Sequence, residues 1–259
     1  MSYEQILTEV RGRVGIITMN QPDKLNPMSA TMVREMREQI CAWNEDKSVG
    51  AMVITGAGRG YSSGADIGRF EQTVREGGRE RSSAPTEESW DTLVKKSKPI
   101  VCAINGVAVG MGITSTLPCD IRVAAEGARM SFRFVRIGLT PEYASSHHLV
   151  YLVGLGNTME LMLTGKFING EEAKSIGLVN HVYPPDTMLD EAVTLAQEIA
   201  DNPEWQLMKT KQLIHDSYLE HDIGKVLDIE SDIFRQSQAS ESHKEFLTAF
   251  REKRQPKYN

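Results

Sequence analysis

Residues 101–124, VCAINGVAVGMGITSTLPCDIRVA, constrain what this chain can fold into more than any other stretch. An apolar, β-branched run over residues 100–104 stops at Asn105-Gly106. Small residues then lead through Gly110 and Gly112 to a second apolar run ending in Ile121-Arg122-Val123. The pattern reads as a buried strand, a tight turn, a short buried helix and another strand. Glycines on either side of Met111 let a backbone N–H at the helix start come close to a negatively charged group, because glycine permits unusual dihedrals and the first helical amides lack internal partners. The same glycines equally allow helix and strand to pack closely, and the stretch alone does not choose between these readings.

A chain of 259 residues is long enough for a substantial core, as one large domain or a domain with an appendage. The formal net charge of −6 and a pI near 5.6 argue against general nucleic-acid binding. Cys41, Cys102 and Cys119 sit in apolar surroundings without metal-ligand spacing, which predicts reduced core thiols and no zinc site. The segment MSYEQILTEV has neither a basic nor an apolar leader region, and no apolar run reaches membrane-spanning length. The expectation is a cytoplasmic protein with no nucleic-acid or membrane partner.

In chain order, residues 5–10 and 13–19 read as a hairpin turning at Arg11-Gly12. Pro22, Asp23, Asn26 and Pro27 mark a loop, Ser29 is placed to cap a helix, and Met32, Val33, Met36, Ile40 and Trp43 repeat at helical spacing. Residues 49–55 form a buried strand. The following GAGRGYSSGADIGRF is glycine-rich but lacks the register of a dinucleotide-binding turn. Residues 71–97 are polar and aperiodic, predicting a mobile loop, either a lid or an inert insertion, with a short helix over 87–96. Beyond the central stretch, residues 129–138 read as a strand or extended piece, and Thr140-Pro141-Glu142 as a capped helix start. Gly154 and Gly156 interrupt that helix, a helix begins at Asn169-Gly170, and residues 178–183 form a strand. After Pro184-Pro185 the spacing is helical throughout. Strands and helices alternating to residue 183, then helices only, predict an α/β core over 1–183 and a helical region over 184–259.

The succession DKLNPMS, MVITGAGRGYSSGAD, KPIVCAINGVAVGMGITSTLPCDIRVAA, RIGLTPEYASSHHLVYLVG and LTGKFINGEEAKSIGLVNHVY resembles the enoyl-CoA hydratase/isomerase (crotonase) superfamily, in the family's order and over nearly the whole chain. The resemblance implies an α/β crotonase-like spiral of ββα turns with a C-terminal helical trimerisation region. It also implies assembly as a homotrimer or a dimer of trimers. The substrate it implies is an acyl-CoA, so that coenzyme A enters as part of the thioester and there is no prosthetic group. Matched residue by residue, the family's anion hole falls on the backbone amides of Ala65, in SSGAD, and Met111, in VGMG. Two such donors stabilise the enolate that develops as the α-proton leaves a thioester. By the same resemblance Lys24, Ser63, Ala65, Asp66, Ile67 and Lys253 contact the CoA portion, Lys253 in some relatives from a neighbouring subunit. Asp66 is expected to hold its turn rather than to do chemistry.

This chain departs from the hydratases of the family at both catalytic carboxylates, whose positions match Thr114 and Phe134. Hydration needs groups that orient water and move protons at two carbons, which threonine and phenylalanine cannot supply. Glu142 matches the single glutamate of a subset of Δ3,Δ2-enoyl-CoA isomerases, in which one carboxylate takes a proton from C2 and returns it at C4. It also fits a residue that complements a helix N-terminus. His147 and His148 follow on the same helix and point to different faces. The resemblance therefore implies an isomerase. Hydration, thioester or C–C hydrolysis, and a catalytically impaired CoA-binding or assembly protein are the alternatives.

Overall fold

The computed structural model describes residues 3–66, 68, 75 and 88–258. Strands β1 (Ile6–Arg11) and β2 (Val14–Met19) form the expected antiparallel hairpin. Helix α1 (Ala30–Glu45) starts where Ser29 accepts a hydrogen bond from the Met32 amide, and it buries Met32, Met36, Ile40 and Trp43. Strands β3 (Ala51–Gly56) and β4 (Gly60–Ser62) follow, then α2 (Trp90–Lys96) and β5 (Ile100–Ile104). Next come β6 (Val107–Val109), α3 (Met111–Thr114), β7 (Ile121–Ala125) and β8 (Arg129–Ser131).

These strands are dealt alternately to two sheets. The six-stranded sheet has the order β1-β2-β3-β5-β7-β10 and the four-stranded sheet β4-β6-β8-β9, where β9 is Ile168–Asn169 and β10 is His181–Tyr183. Each turn of chain thus gives one strand to each layer (β3 and β4, β5 and β6, β7 and β8), with parallel pairing between successive turns. Residues on β2, β3 and β5 are buried along almost their whole length, as required of parallel strands covered on both faces. A mixed α/β fold with a C-terminal helical region results.

The long helix α4 (Ser145–Thr164) kinks at Gly154, whose φ of 79° and ψ of 162° are not helical; Gly156 stays inside the helix. Helix α5 (Gly170–Ser175) opens on a capping box between Asn169 and Glu172. Strands end at Tyr183, and helices α6 (Met188–Ala200), α7 (Glu204–Ser217), α8 (Ile223–Gln238) and α9 (Glu241–Glu252) follow. Helix α6 still belongs to the core: Met188, Ala192, Ala196 and Ala200 are buried at four-residue spacing, and the helix lies on β3 and β5. The later helices are peripheral. Helix α8 buries none of its residues and exposes Ile223, Leu227 and Phe234. No helix among the described residues is long and apolar enough to cross a membrane.

Several expectations are corrected. The central stretch holds an additional strand, β6, too short to register between two glycine turns. The extended piece over residues 129–138 is β8 followed by a 3-10 turn at Phe134–Ile137, which Gly138 ends with a φ of 72°. Helix α4 does not start at Thr140. Tyr143 and Ala144 have φ values of 55° and 51°, and a right-handed helix cannot pass through two successive left-handed residues. The strand expected over 178–183 is only β10. Cys41 is exposed on α1, whereas Cys102 and Cys119 are buried as expected. The mobile loop expected over residues 71–97 lies largely outside the described residues, apart from its helix, which starts at Trp90 behind a Ser89 cap.

Candidate active site

Two glycine turns leave neighbouring parallel strands side by side. The first, Ser63-Gly64-Ala65-Asp66, follows β4; the second, Gly110-Met111-Gly112, follows β6, and β4 pairs with β6. The N-terminal loop supports the first turn. The Ser63 amide donates to Leu25 O at 2.7 Å and the Met28 amide to Gly64 O at 2.8 Å, with Met28 bridging Ala65. Asn26, fully buried with a φ of 53°, accepts from the Gln21 amide and donates to Ala57 O and Gly60 O. Asn105 holds the same loop from the other side, accepting from the Gly56 amide and donating to Gly58 O.

The second turn is locked against the first. The Gly110 amide donates to Ser131 O at 3.0 Å, and its φ of 52° with ψ of −122° is a conformation that a side chain would strain. Close contact removes the remaining freedom. A Cβ on Gly64 would lie 2.5 Å from Val109 O and 3.6 Å from the Met111 nitrogen, and one on Gly112 would lie 2.6 Å from Ser62 O. The Ala65 and Met111 segments are therefore in van der Waals contact. Among the described residues, no hydrogen-bond acceptor meets either the Ala65 or the Met111 amide. Two amides without an acceptor on adjoining turns are free to donate to a bound group, Met111 because it opens α3.

Three residues later Thr114 is fully buried, and its Oγ1 has no hydrogen-bond partner among the described residues. Phe134 is buried on the 3-10 turn. No carboxylate stands at either position. Glu142 is the one carboxylate between residue 127 and residue 159. It is exposed on the loop ahead of α4, and its carbonyl accepts from the Ser145 amide at 3.0 Å. Because α4 starts at Ser145, Glu142 precedes the helix and is not one of its first-turn residues.

Lys24 and Ser63 adjoin each other, with Ser63 Oγ donating to Lys24 O at 3.3 Å, and Lys24 itself is exposed. Asp66 Oδ1 accepts from the Gly68 amide at 3.0 Å. Ile67 lies outside the described residues. Lys253 caps α9 with a φ of 55°, and among the described residues no hydrogen bond or ion pair joins it to Lys24, Ser63 or Ala65. The two histidines diverge as expected and both are partnered. His147 Nε2 lies 3.0 Å from Tyr218 Oη, and His148 Nε2 lies 2.6 Å from Asp91 Oδ1.

Sequence reasoning placed Asn26 in a loop without giving it a role and did not single out Trp90 or Asp91. Asn26 carries a weak signal, since asparagine tolerates positive φ in a loop. Trp90 carries none: its Nε1 donates to Ser115 O, 25 residues away, at 2.9 Å.

The sequence model of the enoyl-CoA hydratase/isomerase family matches residues 9–259. The chain is 33% identical over 258 residues, 100% of this chain and 99% of the relative, to a protein of Rhizobium meliloti (strain 1021) named probable enoyl-CoA hydratase. It is 32% identical over 255 residues, 98% of this chain and 97% of the relative, to the short-chain-enoyl-CoA hydratase of Clostridium acetobutylicum. The crystal structure of an enoyl-CoA hydratase from Polaromonas sp. JS666 superposes with a TM-score of 0.90 at 26% identity, covering 98% of this chain and 99% of that one.

Proposed function

The chain belongs to the enoyl-CoA hydratase/isomerase family, and within it we propose that this protein is a Δ3,Δ2-enoyl-CoA isomerase. The observation that carries the reading is the carboxylate inventory. Thr114 and Phe134 stand where hydration requires paired acids, and Glu142 alone remains on the segment leading into α4. The thioester carbonyl accepts hydrogen bonds from the Ala65 and Met111 amides. Glu142 removes a proton from C2, the electron pair moves into a dienolate whose charge the two amides hold, and Glu142 returns the proton at C4. The double bond shifts from C3=C4 to C2=C3 with no net change in atoms. One such amide donor contributes about 3 kcal/mol to transition-state stabilisation.

Lys24, Ser63, Asp66, Ile67 and Lys253 are proposed to contact the CoA portion. The exposed apolar residues Tyr151, Leu155, Met159 and Leu163 on α4, and Phe246 and Phe250 on α9, support packing of copies into a trimer or a dimer of trimers. That assembly would let Lys253 reach a neighbour's substrate. Hydration is the rival reading, favoured by the names of the relatives. Incubating the wild type with matched 3-enoyl- and 2-enoyl-CoAs separates the two: isomerisation should exceed hydration, and dominant hydration would overturn the assignment.

A further inference from the structure

The short helix α2 joins the two halves of the site. Trp90 and Asp91 are successive residues, so their side chains leave the helix about 100° apart and reach different neighbours. Trp90 Nε1 donates at 2.9 Å to the carbonyl of Ser115, the residue closing α3, whose first residue is Met111. Asp91 Oδ1 meets His148 Nε2 at 2.6 Å, on the first turn of α4 and six residues after Glu142. Trp90 and His148 are both buried, and Lys95 holds Asp91 Oδ2 at 3.0 Å. The helix is itself fixed below, where Val94 O accepts from Lys211 Nζ at 2.8 Å. With Asp91 ionised, its oxygens only accept, so His148 is the donor at Nε2.

Resting on the isomerase reading, we infer that Trp90 and Asp91 are positioning residues that hold the Met111 amide and the Glu142 carboxylate in register across the substrate. Neither touches the reacting atoms. Each fixes the far end of a short segment whose near end carries a reacting group. Loss of either bond lets that segment drift by a fraction of an ångström. A drift of that size costs rate without loosening CoA binding.

The test compares Trp90→Phe, Asp91→Ala, Asp91→Asn and His148→Gln with the wild-type enzyme. Trp90→Phe keeps an aromatic, though smaller, ring in the buried position and removes the donor; asparagine at 91 still accepts from His148, and glutamine at 148 still donates to Asp91. We expect Trp90→Phe and Asp91→Ala to lower isomerase kcat about tenfold with KM within about twofold, while Asp91→Asn and His148→Gln keep most of the rate. Amide exchange should quicken at residues 112–117 in Trp90→Phe and at 145–150 in Asp91→Ala, each without the other. Unchanged exchange, or a kcat in Asp91→Ala like that of the wild type, overturns the inference. A wild type that does not isomerise while exchange moves as described would overturn the functional reading and leave the positioning role standing.

Discussion

Replacing Gly112 by alanine tests the closeness of the two glycine turns. The added Cβ would lie 2.6 Å from Ser62 O and 2.8 Å from Ser62 Cβ, where ordinary contact begins at 3.4 Å, so 0.8 Å must be found between backbone segments. Ser62 cannot retreat, because it is fully buried and paired with β6. The shift therefore falls on α3 and carries the Met111 amide away from Ala65. Overpacking of this kind costs about 1–3 kcal/mol, while alanine in a helix returns roughly 1 kcal/mol relative to glycine. The net loss of stability should be about 1 kcal/mol, small enough to leave the protein folded. Catalysis is more sensitive, since a misplacement near 1 Å can cost about 100-fold; a 10- to 100-fold fall in kcat is expected. Urea unfolding and steady-state isomerisation measure the two effects, with Gly127→Ala as the control because nothing lies within 4 Å of its added Cβ. A Gly112→Ala enzyme with kcat within about twofold of wild type would refute the reasoning.

Three further outcomes concern stability. Lys211, buried on α7, donates to Asp120 Oδ2 at 2.8 Å and to Val94 O at 2.8 Å, so Lys211→Met leaves the half-buried Asp120 carboxylate with the Ile100 amide as its remaining donor and should cost about 2–3 kcal/mol in urea unfolding; a loss under about 1 kcal/mol contradicts this. Burial pushes the pKa of His148 and His215 below the usual 6.5, in His148 against a partial pull upward from Asp91. A folded pKa below the unfolded value means that unfolding takes up protons. The stability they give is thus present above pH 6.5 and is lost as pH falls below it, and His148→Gln should flatten that fall. Asp91 acts lower on the scale. Burial raises its pKa, but the bonds from Lys95 and His148 outweigh this and set it below 3.8, so its contribution is lost only in stronger acid. A urea midpoint unchanged between pH 7.5 and 5.5 would contradict the histidine assignment.

Local rules made the helix caps legible. The Ser29 cap and the helix start at Asn169 are legible because capping depends on residues a few positions apart, and the structure closes the second with a box to Glu172. The start of α4 was misread for the opposite reason. Thr140-Pro141-Glu142 has the composition of a helix start, yet Tyr143 and Ala144 take left-handed dihedrals that nothing in their own side chains announces. Strand β6 is three residues long and exists by pairing with β4 and β8, partners distant in the chain. Nothing local marks Lys211, whose ion-pair partner Asp120 lies 91 residues away. At the site, the glycine spacing around Met111 announces an unusual turn, and only the resemblance implies an anion hole there. The link from Trp90 and Asp91 to both site segments is tertiary, so no short-range pattern carries it.

Glu142→Gln tests the central claim most directly, since it keeps the side chain's shape and removes the proton acceptor while leaving the Ala65 and Met111 amides untouched. Isomerisation of a 3-enoyl-CoA should fall by roughly 100-fold or more, with CoA-ester binding retained. An isomerase rate equal to that of the wild type would show that another group moves the proton.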